Sequence, residues 1–100
     1  MKDMDEIIRE DARLIMLRAL VEQVDERLHS ELLVTVLESF GIRKTREWVH
    51  GELAWLVDMG AVKTATIGTV LVATLTEKGG RHLDRSIAIE GVKRPSRPGG

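Results

Sequence analysis

Cysteine and tyrosine are absent from this chain of 100 residues, which contains only two tryptophans and one phenylalanine. Without cysteine the chain can form no disulfide, no thiolate zinc site and no cysteine nucleophile. With so few aromatic rings, its hydrophobic core must be built from aliphatic side chains. The sequence also lacks an uninterrupted apolar run of the ~20 residues that a membrane-spanning helix needs, so we expect no membrane association.

The charge balance is close to neutral, with 15 lysines and arginines against 16 aspartates and glutamates. A formal net charge of −1 argues against strong sequence-independent attraction to nucleic acid. Hydrophobic residues make up 43% of the chain, which is typical of one folded domain rather than a disordered chain. The acidic N-terminus lacks the apolar stretch of a secretory signal, so we expect a cytoplasmic protein.

Three helices are predicted in the first part of the chain. Apolar residues at spacings of three and four predict a first helix over 5–23. Ser30 is positioned as the N-cap of a second helix over 31–40, and Thr45 as the N-cap of a third. Only residues 41–44 separate the second and third helices, which is the turn length of a helix-turn-helix motif.

The pattern changes after Gly60, where β-branched residues become frequent. Residues 62–66 and 70–75 predict two strands that are joined by a turn at Gly68. Two short strands are not stable alone, so the hairpin must pack on the helices. We therefore predict a mostly α fold with a small two-stranded β-hairpin, the winged helix-turn-helix.

The C-terminal part is predicted to contain one more helix and a tail. Thr76 is positioned to cap a short helix, which completes a winged-helix domain over 1–90. Residues 91–100 combine proline, glycine and basic residues without an apolar period. This composition predicts a disordered basic tail.

Two resemblances support this interpretation. Residues 45–62 look like the recognition helix and first wing strand of bacterial winged-helix repressors, and the Leu-Thr-x-x-Gly pattern at 75–79 resembles their strand-to-helix exit. Five segments resemble small proteins encoded by Mu-like bacteriophages and prophages: 10–15, 40–43, 48–50, 72–76 and 89–95. The resemblance implies a winged helix of phage origin in a bacterial host, and homodimers are common among similar repressors. It carries over no functional residue.

Candidate phosphate contacts lie in the predicted turn. A winged helix that reads DNA places its third helix in the major groove and basic side chains against phosphates. Arg43, Lys44 and Arg46 lie at the N-terminus of that helix, where the helix dipole also favours a phosphate. The alternative is a solvated turn, in which these charges pair with carboxylates such as that of Glu47.

Few other groups are suited to contact DNA. Three side chains of the third helix are expected to point toward the groove, those of Glu47, Trp48 and His50. Gly51 and Ala54 offer no donors for bases, and the neighbouring Glu52 repels phosphate. Four cations complete the set, Lys63 beside an uncharged wing and Lys93, Arg94 and Arg97 in the tail. The tail cations either add a flexible arm on DNA or remain solvated.

The sequence leaves the place of the two tryptophans open. Trp48 and Trp55 are seven residues apart on one side of the third helix, where they either pack in the core or form an apolar partner site. The three histidines, His29, His50 and His82, show no metal-ligand spacing.

The sequence therefore supports two functions. The first is a DNA-binding winged helix of phage origin, a transcriptional regulator or a DNA-handling accessory, which is the commonest use of the fold. The second is a non-catalytic module that binds a phage or host protein, for example in assembly or packaging. We expect no catalytic residues, no metal and no cofactor.

Overall fold

The computed structural model describes residues 1–97. Seven elements follow one another: α1 (Met4–Val21), β1 (Arg27–His29), α2 (Ser30–Ser39), α3 (Arg46–Asp58), β2 (Val62–Ile67), β3 (Val70–Leu75) and α4 (Glu77–Leu83). The strands form one antiparallel sheet in the order β1-β3-β2. Across residues 1–97, no helix combines the length and the apolar character required to cross a membrane.

The sheet has one strand more than the two that the sequence predicts. β1 has only three residues and pairs with β3 along the edge opposite β2. Three residues are too few to show the alternating pattern of a strand, so the sequence did not predict β1. The strand forms because β3 lies beside it as a pairing partner. The predicted hairpin itself is confirmed: β2 and β3 pair along their full length, and Gly68 adopts a φ of 62° in the turn between them.

The helix ends follow local capping. The Thr45 side chain accepts a hydrogen bond from the Trp48 N–H, which confirms the predicted N-cap of α3. α2 begins one residue earlier than predicted, because the His29 ring rather than the Ser30 hydroxyl accepts the Leu32 N–H. Ser30 is therefore free to form contacts between elements.

The core is aliphatic, as the scarcity of aromatic residues predicts. Fully buried side chains from the first three helices form its centre: Met16, Leu17, Leu20, Leu33, Leu37, Val49, Leu53 and Leu56. The sheet adds Ala73 and Leu75 from the face that it turns toward the helices. Each large apolar side chain buried in this way stabilises the fold by about 1.5–3 kcal/mol.

The C-terminal segment, residues 91–97, packs against the helices, whereas the sequence predicts a disordered tail over 91–100. Val92 is 7% exposed and belongs to the core, and Pro95 is buried. The prediction of disorder from composition is wrong for residues 91–97, because one apolar side chain and specific backbone contacts are enough to hold a proline- and glycine-rich segment against the helices. Residues 98–100 of the predicted tail lie outside the described residues.

Backbone hydrogen bonds hold the C-terminal segment in place. The Lys93 N–H donates to the Glu10 carbonyl of α1, and the Lys93 carbonyl accepts from Nε2 of His82 in α4. Nδ1 of His82 accepts from the Ile89 N–H at 3.0 Å. The buried His82 ring therefore links α4 to the chain on both sides of Glu90.

Candidate nucleic-acid interface

The outward row of α3 is acidic or small. Glu47, Gly51, Ala54 and Asp58 follow one another at spacings of four and three, and all are exposed. Glycine and alanine provide no hydrogen-bond donor, and the two carboxylates repel phosphate. This row therefore lacks the side chains with which a recognition helix reads guanine or adenine.

The imidazole of His50, which the sequence places toward the groove, is half-buried and held inside the domain. Its Nε2 lies 2.9 Å from the Ser30 hydroxyl oxygen, which also accepts from the Leu71 N–H at 3.2 Å. This arrangement links α3, α2 and β3. A base contact through Nε2 of His50 would require this link to break.

The α2–α3 turn brings the predicted cations close to carboxylates. Nε of Arg43 lies 3.8 Å from the Glu38 carboxylate. The Arg46 guanidinium lies 3.6 Å from Glu31 and 3.5 Å from Glu47. These distances exceed those of tight hydrogen bonds, and exposed ion pairs contribute only about 0–1 kcal/mol. A phosphate can therefore replace the carboxylates. We call Arg43, Lys44 and Arg46 the turn cluster.

Both tryptophans pack against the core, which answers the question left open by the sequence. The Lys44 ammonium lies 5.2 Å from the centroid of the half-buried Trp48 ring. The Arg13 guanidinium stacks 3.7 Å from the centroid of Trp55. Each ring thus has a cation over its face, a favourable arrangement with the ring quadrupole. The two rings do not form a bare aromatic patch.

Glu52 lies against α1 and not toward the expected DNA face. Its side chain is 5% exposed and accepts from Nε of Arg13 at 2.7 Å, and its second oxygen lies 3.4 Å from Arg9. Arg13 also donates to the Gly91 carbonyl at 2.8 Å. This buried ion pair joins α1, α3 and the C-terminal segment.

A signal in the sequence could have located Glu52. It follows Val49 by three residues and precedes Leu56 by four, so helical spacing places it on the buried side of α3. Its partner Arg13 comes from α1 and could not be identified by local spacing.

The remaining predicted contacts lie apart from the turn. Lys63 is exposed on β2, and within residues 1–97 it makes no ion pair. Nζ of Lys93 lies 3.7 Å from the Asp11 carboxylate. Arg94 is exposed on the C-terminal segment. In the described part of the chain, no three side chains of histidine, aspartate or glutamate lie together in a way that could hold a metal ion.

Comparison with curated proteins relates the chain to a phage protein. It is 32% identical over 91 residues to the "Uncharacterized protein gp26" of Escherichia phage Mu, and the alignment covers 91% of this chain and 94% of that protein. No protein-family model matches the chain, and no solved structure matches it.

Proposed function

This chain belongs to the family of gp26 of Escherichia phage Mu, and we propose that it is a winged-helix protein that binds duplex DNA through phosphates rather than bases. The predicted resemblance to proteins of Mu-like phages is thereby confirmed. The proposed place of action is the cytoplasm of the bacterial host, as a regulator or a DNA-handling accessory.

The order of elements supports the winged-helix part of the proposal. Two helices joined by a short turn, α2 and α3, are followed directly by the β2–β3 hairpin, and β1 pairs beside it. In a winged helix this order presents the second of these helices and the hairpin tip to the same duplex.

The observation that carries the proposal is the turn cluster at the start of α3. The Arg43 side chain is 90% exposed and that of Arg46 44% exposed, so both can reach a phosphate. Partial positive charge at the helix N-terminus adds to their attraction. Each nearby carboxylate reduces this attraction, so we expect affinity in the micromolar range. The affinity should depend strongly on salt because it comes from phosphate contacts.

The outward row of α3 supports contact without base reading. The small side chains of Gly51 and Ala54 allow the helix to approach a DNA groove closely, but they provide no hydrogen-bond donors for bases. Affinity should therefore vary little between DNA sequences.

The test is a titration with a short random-sequence duplex at about 50 and 200 mM salt. Each phosphate contact should contribute about a 3.5-fold loss of affinity over this range. In the variant R43Q/R46Q, which lacks two such contacts, the factor by which salt weakens duplex binding should therefore be about 12-fold smaller than in the natural chain. The matched control is R18Q/R27Q, which removes two exposed charges outside the turn. Equal salt dependence of both variants and the natural chain would contradict the turn contact.

A second variant tests the same contact in the opposite direction. Replacing Glu38 and Glu47 by glutamine removes two of the three carboxylates that face the turn cluster. DNA affinity at low salt should rise several-fold, because the phosphate no longer competes with them. Unchanged or reduced affinity would show that the DNA does not approach this turn.

A second candidate function is a module that binds a phage or host protein. It is favoured by two large apolar side chains that are exposed, Phe40 at 65% and Ile67 at 57%. A photo-crosslinking residue at either position should then capture one defined protein in infected cells, whereas one at the exposed Arg18 should not. Equal capture at the three positions would contradict this candidate.

A further inference from the structure

Just after α4, Arg85 contacts the C-terminal segment that carries Arg94 and Arg97. Arg85 follows this helix in a left-handed conformation, with a φ of 69°, and its guanidinium donates to the Pro95 carbonyl. Arg94 precedes Pro95 directly, and Arg97 lies two residues beyond it. Chain geometry keeps the Cα atoms of these two arginines within about 4 and 7 Å of Pro95. We call Arg85, Arg94 and Arg97 the arginine cluster.

The backbone around Arg94 is held by contacts on both sides. Pro95 is buried, and Lys93 makes its two backbone hydrogen bonds to Glu10 and His82 immediately before Arg94. The chain is thus held on both sides of Arg94. Little backbone entropy therefore remains to be lost at Arg94 when a ligand binds, in contrast to a flexible basic arm.

The charges of the arginine cluster are not neutralised within residues 1–97. None of its three members lies within ion-pair distance of a carboxylate in that range, whereas Arg43 and Arg46 of the turn cluster both do. Burial, and then the positive charges of Arg94 and Arg97, hold the pKa of Arg85 below its ordinary value. Arg94 and Arg97 thus place positive charge near the Arg85 guanidinium, and a phosphate bound there would offset this charge.

We propose that the arginine cluster is a preorganised phosphate-binding site that contacts the backbone of nucleic acid separately from the turn cluster. The proposal rests on the proposed DNA binding and adds a second set of contacts to it. Guanidinium groups bind phosphate oxygens through two parallel hydrogen bonds, which lysines cannot do. Arg85 uses one donor on Pro95, while Arg94 and Arg97 project from the exposed side of the segment.

The variant R94Q/R97Q tests the site without disturbing the bond between Arg85 and Pro95. We expect its thermal midpoint to equal that of the natural chain, since both side chains are exposed. Raising the salt from about 50 to 200 mM should weaken duplex binding by a factor about 12-fold smaller than in the natural chain, which corresponds to the loss of two phosphate contacts. The control R18Q/R27Q removes the same charge elsewhere and should change the salt dependence much less.

Comparison with R43Q/R46Q separates the two proposals. If R94Q/R97Q behaves like its control while R43Q/R46Q loses salt dependence, the arginine cluster is refuted and the turn contact stands. The reverse result supports the arginine cluster and refutes the turn contact. Absence of duplex binding at the lower salt refutes both.

Polyglutamate of the same total charge serves as the probe for an acidic protein partner. It should compete with the duplex much more weakly than a second duplex does, because the site is proposed to bind phosphates. The assignment to nucleic acid would be overturned if polyglutamate competed as strongly as a second duplex and if R94Q/R97Q bound neither polyglutamate nor DNA.

Discussion

Replacing Glu52 with alanine should destabilise the fold by about 3 kcal/mol, the lower end of the range for breaking a buried ion pair. The substitution removes the carboxylate that Arg13 contacts at 2.7 Å, where the two side chains are only 10% and 5% exposed. Arg13 would keep its bond to the Gly91 carbonyl and its position over Trp55. These two remaining contacts are the reason that we expect the lower end of the range.

Urea unfolding measures this loss directly, and the thermal midpoint should fall by about 12–24 °C for a domain of this size. Glu47→Ala is the matched control on the same helix, because its side chain is 77% exposed. It should change the free energy of unfolding by less than about 0.5 kcal/mol. A loss below about 1 kcal/mol in Glu52→Ala would refute the buried pair, since exposed ion pairs contribute no more than that.

A double substitution distinguishes an unpaired buried charge from a simple loss of packing. Arg13→Met should destabilise the fold about as much as Glu52→Ala, because it leaves the carboxylate with Arg9 alone at 3.4 Å. Arg13→Met combined with Glu52→Leu should destabilise it far less than the sum of the single changes. Additive losses would show that the two side chains are not coupled.

Three further predictions concern single residues. Gly79→Ala should destabilise the fold by about 3 kcal/mol or prevent folding, because its Cβ would overlap the Ala61 carbonyl oxygen; a thermal midpoint near that of the natural chain would contradict this close approach. Gly51→Ala should raise the free energy of unfolding by about 0.5–1 kcal/mol, since Gly51 lies inside α3 with open space around it; a lower thermal midpoint would contradict this reading of its surroundings. His82→Ala should accelerate amide hydrogen exchange in residues 91–97, because it removes the acceptor of the Ile89 N–H and the donor to the C-terminal segment; unchanged protection would show that the segment is held by other contacts.

Features with a local cause could be predicted from the sequence. Thr45 caps α3 through a contact three residues away, and Gly68 is required by its own turn. The aliphatic core follows from the periodic apolar residues of the helices. The turn cluster is likewise formed by neighbours in the chain.

Features that depend on distant residues could not be predicted in this way. β1 exists because β3 lies beside it. The C-terminal segment is ordered because α1 accepts its Lys93 N–H and His82 of α4 donates to its Lys93 carbonyl. Glu52 is paired across 39 residues with Arg13, so the sequence suggested a place near DNA instead. Arg85 is brought to Pro95, next to Arg94, by the position of this segment and not by local spacing.

Binding of DNA through phosphates alone is tested by the affinity of the natural chain for two unrelated short duplexes at about 50 and 200 mM salt. We expect micromolar binding that weakens by at least about 40-fold over this range, as three or more phosphate contacts require. We also expect affinities that agree within about threefold between the two sequences, less than one base-specific contact would contribute. No binding at the lower salt, or binding that salt does not weaken, would contradict binding through phosphates.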